Sequence, residues 1–289
     1  MTDPTVPPGA PGAAAVMAKA KAENFTVASR LLPAASRRHL LAIYGFARLV
    51  DDLGDEVALD RTAALDWLEG ELTLAAEGRA THPLLVQLTP TLRELDLPLG
   101  PFRRLIAANC QDQVVTQYET FDDLLAYCAL SANPVGELVL RVFGVATPER
   151  LALSDQVCSG LQIVEHLQDV GEDLQNGRVY LPQEDLDRFG CTEADLAASA
   201  AGAPARAVVR YVAVRARSLL TAAGPLAATL RGRMRIAVAG YAAGGLAALD
   251  AIDAVDGDVL GVECRPRPHR VAAQLTSVLV AAARTRGTR

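Results

Sequence analysis

Two runs of this 289-residue sequence place carboxylates at helical spacing. The first is Tyr44-Gly-Phe-Ala-Arg48-Leu-Val-Asp51-Asp52-Leu-Gly-Asp55-Glu56. On a helix, positions 44, 48, 51 and 55 step by four, three and four and share one face. The second is Leu161-Gln162-Ile-Val-Glu165-His166-Leu-Gln-Asp169-Val-Gly-Glu172-Asp173, in which 162, 165, 169 and 173 form a stripe, followed by Gly177-Arg178-Val-Tyr180-Leu-Pro182. Like charges at i and i+4 destabilise an isolated helix by roughly 0.2–0.5 kcal/mol per pair, so both stripes call for a cation. Oxygen ligands without a thiolate or imidazole partner suit a hard ion such as Mg²⁺, which is commonly shared between one or two carboxylates and a substrate phosphate. A diphosphate is the natural bridge. It leaves only if its developing charge is stabilised, which metal ions and arginines supply. Each run alone reads equally as a solvated acidic helix end; the combination is what points to chemistry.

The elements that must carry these stripes are helical. Apolar residues recur at helical period over about 16–30, 36–56, 60–77, 82–95, 101–118, 121–143, 148–176, 183–199, 204–222, 233–255 and 268–284. Pro33, Gly78, Pro98–Gly100, Gly144, Gly177, Pro182, Gly190, Gly202–Pro204 and Gly257 fall between them. Only Val179–Leu181 reads as extended. With no long linker and no fixed repeat, the expectation is one all-α domain over 16–289, preceded by a proline-rich disordered tail at 1–15. Pro134 is expected to kink its helix and to bias Asn133 away from helical angles.

Composition narrows the classes. Hydrophobic residues make up 51 % and aromatics 4 %, so alanine and leucine dominate and favour helix. A net charge of −6 excludes nucleic acid as the main partner. Five scattered cysteines show neither zinc spacing nor a disulfide framework, which suits a cytoplasmic protein. The N-terminal residues lack the pattern of a signal peptide. No stretch reaches the length of a membrane span, Val271–Ala283 coming nearest. After Glu263 come six arginines and no acid. They suit either a helix end complementing its dipole or peripheral contact with the anionic inner face of a membrane. His166 reads as a packed histidine and Trp67 as core. Gly240, Gly244 and Gly245 read as sites of close helix packing.

The sequence resembles the squalene and phytoene synthase family from about Asn24 to about Ala283. The matching stretches are Glu23-Asn24-Phe25 with Leu31-Leu32-Pro33, AIYGFARLVDDLGDE (42–56), YCALSANPVGELVL (127–140) and LQIVEHLQDVGEDLQNGRVYLPQEDL (161–186). The resemblance implies the isoprenoid synthase helical bundle with a central cavity. It implies that Asp51, Asp55, Asp169 and Asp173 hold several Mg²⁺ ions and the diphosphate of a prenyl substrate. Arg48, Gln162, Arg178, Tyr44, Tyr127 and Tyr241 would line the site. Within the family it is similar to the bacterial hydroxysqualene synthases of hopanoid pathways, through ENFTVASRLLP, SANPVG in place of VAGxVG, and Arg265-Pro-Arg267-Pro. That implies presqualene diphosphate as substrate, water capture to hydroxysqualene, and no NADPH. A head-to-head prenyl transferase would use the same aspartates, and a non-catalytic scaffold relative could lose them. Glu165, where many relatives carry a metal-coordinating asparagine, either adds charge to the metal cluster or acts near water capture. Asn133 either holds that water or marks a simple kink. Chain length, stereochemistry and oligomeric state are not legible.

Overall fold

The apolar spacing around the first carboxylate run folds as expected. In the computed structural model, which describes residues 11–19, 32–55 and 60–287, that run closes helix α2 (Ala34–Asp55). Leu40, Ile43, Phe46, Leu49, Val50 and Leu53 are buried along one side of α2, leaving the other to Arg48 and Asp51. Glu23–Phe25, Leu31 and Glu56 lie outside the described residues.

Contacts divide the chain into two compact units, a division that no linker in the sequence marks. The first comprises Met1–Val114 with Pro134–Ala146, and the second comprises Val115–Asn133 with Thr147–Arg289. The chain passes between them after Val114, after Asn133 and after Ala146.

In the first unit, α1 (Ala13–Lys19), α3 (Arg61–Glu77), α4 (Pro83–Glu94) and α5 (Gly100–Gln111) surround α2. Helix α1 begins inside the stretch expected to be a disordered tail, because its alanines favour helix and Val16 is fully buried. Phe46 meets Phe102 edge-on at 5.1 Å. Asp60 caps α3, its Oδ1 accepting from the Ala63 N–H at 3.0 Å. The fully buried Glu71 carboxylate accepts from the Thr81 hydroxyl and from the Thr81 and His82 N–H groups, each at 2.9 Å. These three bonds satisfy a charge that would otherwise be expensive to bury. Helix α7 (Asn133–Val142) lies mostly in this unit, where Glu137 pairs with Arg104 of α5 and with Arg141.

In the second unit, α8 (Pro148–Gln168) packs against α12 (Ala203–Leu220), and α14 (Gly232–Ala254) packs against α8, α12, α13 (Ala223–Thr229) and α15 (Pro268–Gly287). Shorter helices α6 (Phe121–Ser131), α9 (Val170–Gln175), α10 (Gln183–Phe189) and α11 (Glu193–Leu196) complete it. Thr120 and Asp123 form a reciprocal capping box at the start of α6. Of the three glycines in GYAAGG, only Gly245 serves packing: a Cβ there would collide with Leu161, whereas Gly240 and Gly244 have open space.

Three boundaries and one hydropathy expectation differ from the sequence reading. The helix expected over 101–118 stops at Gln111, and Gln117 pairs in parallel with Val179 as an isolated β-bridge. The β-branched Val114, Val115 and Thr116 favour that extended backbone. The helix expected over 121–143 breaks at Ala132, and Asn133 is already helical. Pro134 therefore sits in the first turn of α7, where its missing N–H costs nothing. Gly190, at φ +62°, ends α10 early. Finally, α14 is 23 residues long and apolar enough to cross a membrane by length and composition, contrary to the expectation of no such segment. Ala239, Ala242, Ala243 and Gly245 are buried within it, and more than half of its apolar window is buried. Among the six terminal arginines, Arg286 has a structural use, donating to the carbonyls of Ala228 and Leu230.

Candidate active site

The first stripe runs down the last three turns of α2. Tyr44 and Arg48 are partly buried, the Asp51 side chain is 50 % exposed, and Asp55 is exposed at the end. Arg48 turns toward Asp52, with Nε 3.3 Å from Oδ1, and stays 3.9 Å from Asp51. Asp52 is almost wholly buried, so its charge is matched by Arg48 inside the unit while Asp51 keeps an open face. The sequence reading left Asp52 off the stripe; its spacing of four from Arg48 was the available signal.

Helix α5 braces this acidic end. Asn109 Nδ2 lies 3.4 Å from Asp51 Oδ1, and Gln113 Nε2 donates to the Gly54 carbonyl at 3.0 Å. Glycine at 54 leaves room for the Asn109 side chain, whose oxygen a Cβ there would displace. Neither Asn109 nor Gln113 belongs to a recognisable motif, so only the tertiary packing reveals them.

The second stripe spans a helix break. Asp169, at φ −104° and ψ 13°, separates α8 from α9. The hydrogen-bond ladder nevertheless continues: Asp169 N–H donates to the Glu165 carbonyl at 3.0 Å and Asp173 N–H to the Asp169 carbonyl at 2.8 Å. The face set by the spacing is thereby kept. Partial burial, and then the neighbouring Glu165, Asp173 and Glu172 charges, push the Asp169 carboxyl up to about 6, although it retains an exposed surface. Glu165 is exposed. The Arg178 N–H donates to the Asp173 carbonyl at 2.9 Å, and its side chain lines a small cavity with His166, Asp173 and Tyr180.

An aromatic cluster lies beneath this stripe. Tyr127 is buried and lies 5.3 Å from Tyr118 and 5.5 Å from Tyr180, ring centre to ring centre. His166 stacks on Tyr180 at 3.7 Å. Gln162, expected to line the site, meets His166 Nε2 at 3.2 Å. Asn133 is buried in the second unit, with its Oδ1 accepting from the Ser159 hydroxyl at 3.0 Å. Tyr241, on α14, is a phenol that burial pushes up to about 12, so it stays protonated.

Among the described residues, no three His, Cys, Asp or Glu side chains converge to hold a metal unaided. The donor set nonetheless fits Mg²⁺ shared with a diphosphate: Asp173 Oδ2 is buried without a hydrogen-bond partner, and the charges around Asp169 repel one another.

Burial of Asp169, together with that repulsion, has a measurable consequence. A carboxyl raised from 3.8 to about 6 binds more protons folded than unfolded in that window. Stability should therefore fall as pH rises through it. Asp169→Asn should remove this loss. In melts taken across pH, the variant should match the unaltered protein near pH 4 and melt higher above about pH 6. Identical profiles would show that the cluster is not strained.

Comparison with known proteins places these stripes in context. Residues 18–275 match the squalene/phytoene synthase family. A hydroxysqualene synthase of Rhodopseudomonas palustris is 38 % identical over 213 residues, 72 % of each chain. A phytoene synthase of Arthrospira platensis is 34 % identical over 217 residues, 70 % of each chain. The crystal structure of squalene synthase HpnC from Alicyclobacillus acidocaldarius superposes with a TM-score of 0.79 at 41 % identity, covering 84 % of this chain and 92 % of that one.

Proposed function

Since the chain belongs to the squalene/phytoene synthase family, we propose that it converts presqualene diphosphate to hydroxysqualene by Mg²⁺-assisted loss of diphosphate and capture of water. The observation that carries the metal and diphosphate part is the acidic cluster of the second stripe. Its charges repel one another around Asp169, and Asp173 keeps a buried oxygen without a hydrogen-bond partner beside Arg178. A bound cation would relieve that repulsion.

Bound Mg²⁺ would neutralise charge developing on the leaving diphosphate. Asp51 and Asp55 on α2, and Asp169 and Asp173 across the α8–α9 break, are the carboxylates assigned to hold it, with Glu165 as a further candidate. Arg178 would add positive charge to the leaving group, and Arg48, neutralised by Asp52, would steady Asp51. The buried Tyr127 and Tyr180 rings, packed beside His166, would supply apolar surface next to the second stripe. Loss of the diphosphate with the electron pair of its C–O bond leaves a carbocation, and capture then needs one admitted water, whose oxygen bonds to the cationic carbon and whose proton leaves to a nearby base. Glu165, exposed and beside Asp169, is the base this reading assigns.

The likeness to a phytoene synthase at 34 % identity favours a second reading, head-to-head condensation of two prenyl diphosphates on the same carboxylates. Substrate use separates the two. The preferred reading expects presqualene diphosphate to be consumed with Mg²⁺ and without NADPH, giving hydroxysqualene, and farnesyl diphosphate to be left untouched. Consumption of farnesyl or geranylgeranyl diphosphate would move the protein to the condensing synthases.

A further inference from the structure

His166 lies one residue off the carboxylate stripe, yet the structure sets it between two members of that stripe. Its ring is buried, stacked on Tyr180 at 3.7 Å and 15°. The stack fixes the ring plane, so its two nitrogens point in set directions. Nε2 meets the Gln162 amide nitrogen at 3.2 Å, and Nδ1 faces Asp173 Oδ2 at 3.6 Å. That oxygen is buried and has no hydrogen-bond partner.

The tautomer follows from both ends of the ring. The Gln162 amide donates, so Nε2 accepts and carries no proton. At the other end, a lone pair on Nδ1 facing a carboxylate oxygen would be repelled, so Nδ1 carries the hydrogen. The 3.6 Å gap is too long for a hydrogen bond. A rotation of the Asp173 carboxylate by a few tenths of an ångström at Oδ2 would close it.

Resting on the function proposed above, we propose that His166 is a positioning residue for Asp173. Its Nδ1–H engages Oδ2 when the carboxylate takes part in holding the metal-diphosphate, and so limits the carboxylate's rotation. Gln162 acts one step further out by fixing the ring's tautomer. A donor behind a ligating carboxylate limits its rotation and selects the oxygen presented, and loss of such outer partners typically lowers metal affinity about 10–100-fold.

The test uses the full chain, with Mg²⁺ and inorganic diphosphate as the titrant in calorimetry. His166→Phe keeps a ring on Tyr180 but has no donor, and is expected to weaken Mg²⁺-dependent diphosphate binding about 10–100-fold. His166→Asn, whose amide nitrogen falls near the Nδ1 position, is expected to recover most of that loss although it gives up the stack. Gln162→Met, which keeps both His166 and the fold, is expected to weaken binding less than His166→Phe. Melting curves recorded without metal separate these effects from misfolding, because a residue that merely packs would lower the melting temperature more for Asn than for Phe. Equal affinity of His166→Phe and the unaltered chain would overturn the proposal. So would an Asn variant no better than Phe at equal folded fraction. If the unaltered chain shows no Mg²⁺-dependent diphosphate binding, the reading of the carboxylate stripes falls, and this assignment falls with it.

Discussion

Asp51→Asn and Asp173→Asn are each expected to lower turnover of presqualene diphosphate by about 10²–10³, the loss typical of removing one positioned electrostatic contact to a developing anion. The two residues sit on different stripes and keep different surroundings. The Asp51 side chain is half-exposed, with Arg48 lying nearer to Asp52, while Asp173 keeps a buried oxygen beside His166. Asparagine is nearly isosteric, so the fold should survive in both, and far-UV circular dichroism would verify it. Asp60→Asn is the control. Asp60 caps α3 through its side-chain oxygen, and asparagine caps a helix about as well, so turnover and stability should hardly change. Equal losses at Asp51 and Asp60 would mean that the catalytic face of α2 has been misassigned.

Removal of divalent metal is expected to have a still larger effect. In excess EDTA, turnover should fall below detection and return on addition of Mg²⁺, while helical content stays the same throughout. The reason for the second half is structural. The acidic residues of both stripes lie at helix ends and surfaces, whereas the packing that holds α2 and α8 comes from buried apolar residues such as Phe46, Leu49, Ile163 and Leu167. Relief of carboxylate repulsion by a metal should thus add to stability without being required for folding. Full turnover in EDTA would remove the metal from the account. Unfolding in EDTA would instead make its role structural.

Much of this was legible in the sequence because it depends on local period. The helical class and the faces of both stripes follow from spacing alone, and the family follows from the motif stretches. What escaped depends on contacts between distant residues. The break at Asp169 could not be read from a run whose apolar period continues unbroken through Val170. Asn109 and Gln113 brace α2 from fifty or more residues away in sequence. The shift of the kink from Asn133 to Ala132 reflects a proline that starts a helix where it was expected to distort one. His166 looked like an ordinary packed histidine, and it is packed; only the geometry shows that its nitrogens address Gln162 and Asp173. The alanine- and glycine-rich α14 shows the opposite limit, since composition alone cannot separate a buried core helix from a membrane span.

The central claim, that the chain discharges the diphosphate of presqualene diphosphate and delivers water to the product, is tested most directly by oxygen labelling. The unaltered chain would be incubated with presqualene diphosphate and Mg²⁺, without NADPH, in water enriched in ¹⁸O, and the organic products analysed by mass spectrometry. The account predicts hydroxysqualene whose hydroxyl oxygen carries the solvent label in full. Unlabelled hydroxysqualene would contradict capture of water, and a product mixture without hydroxysqualene would contradict the proposed reaction itself.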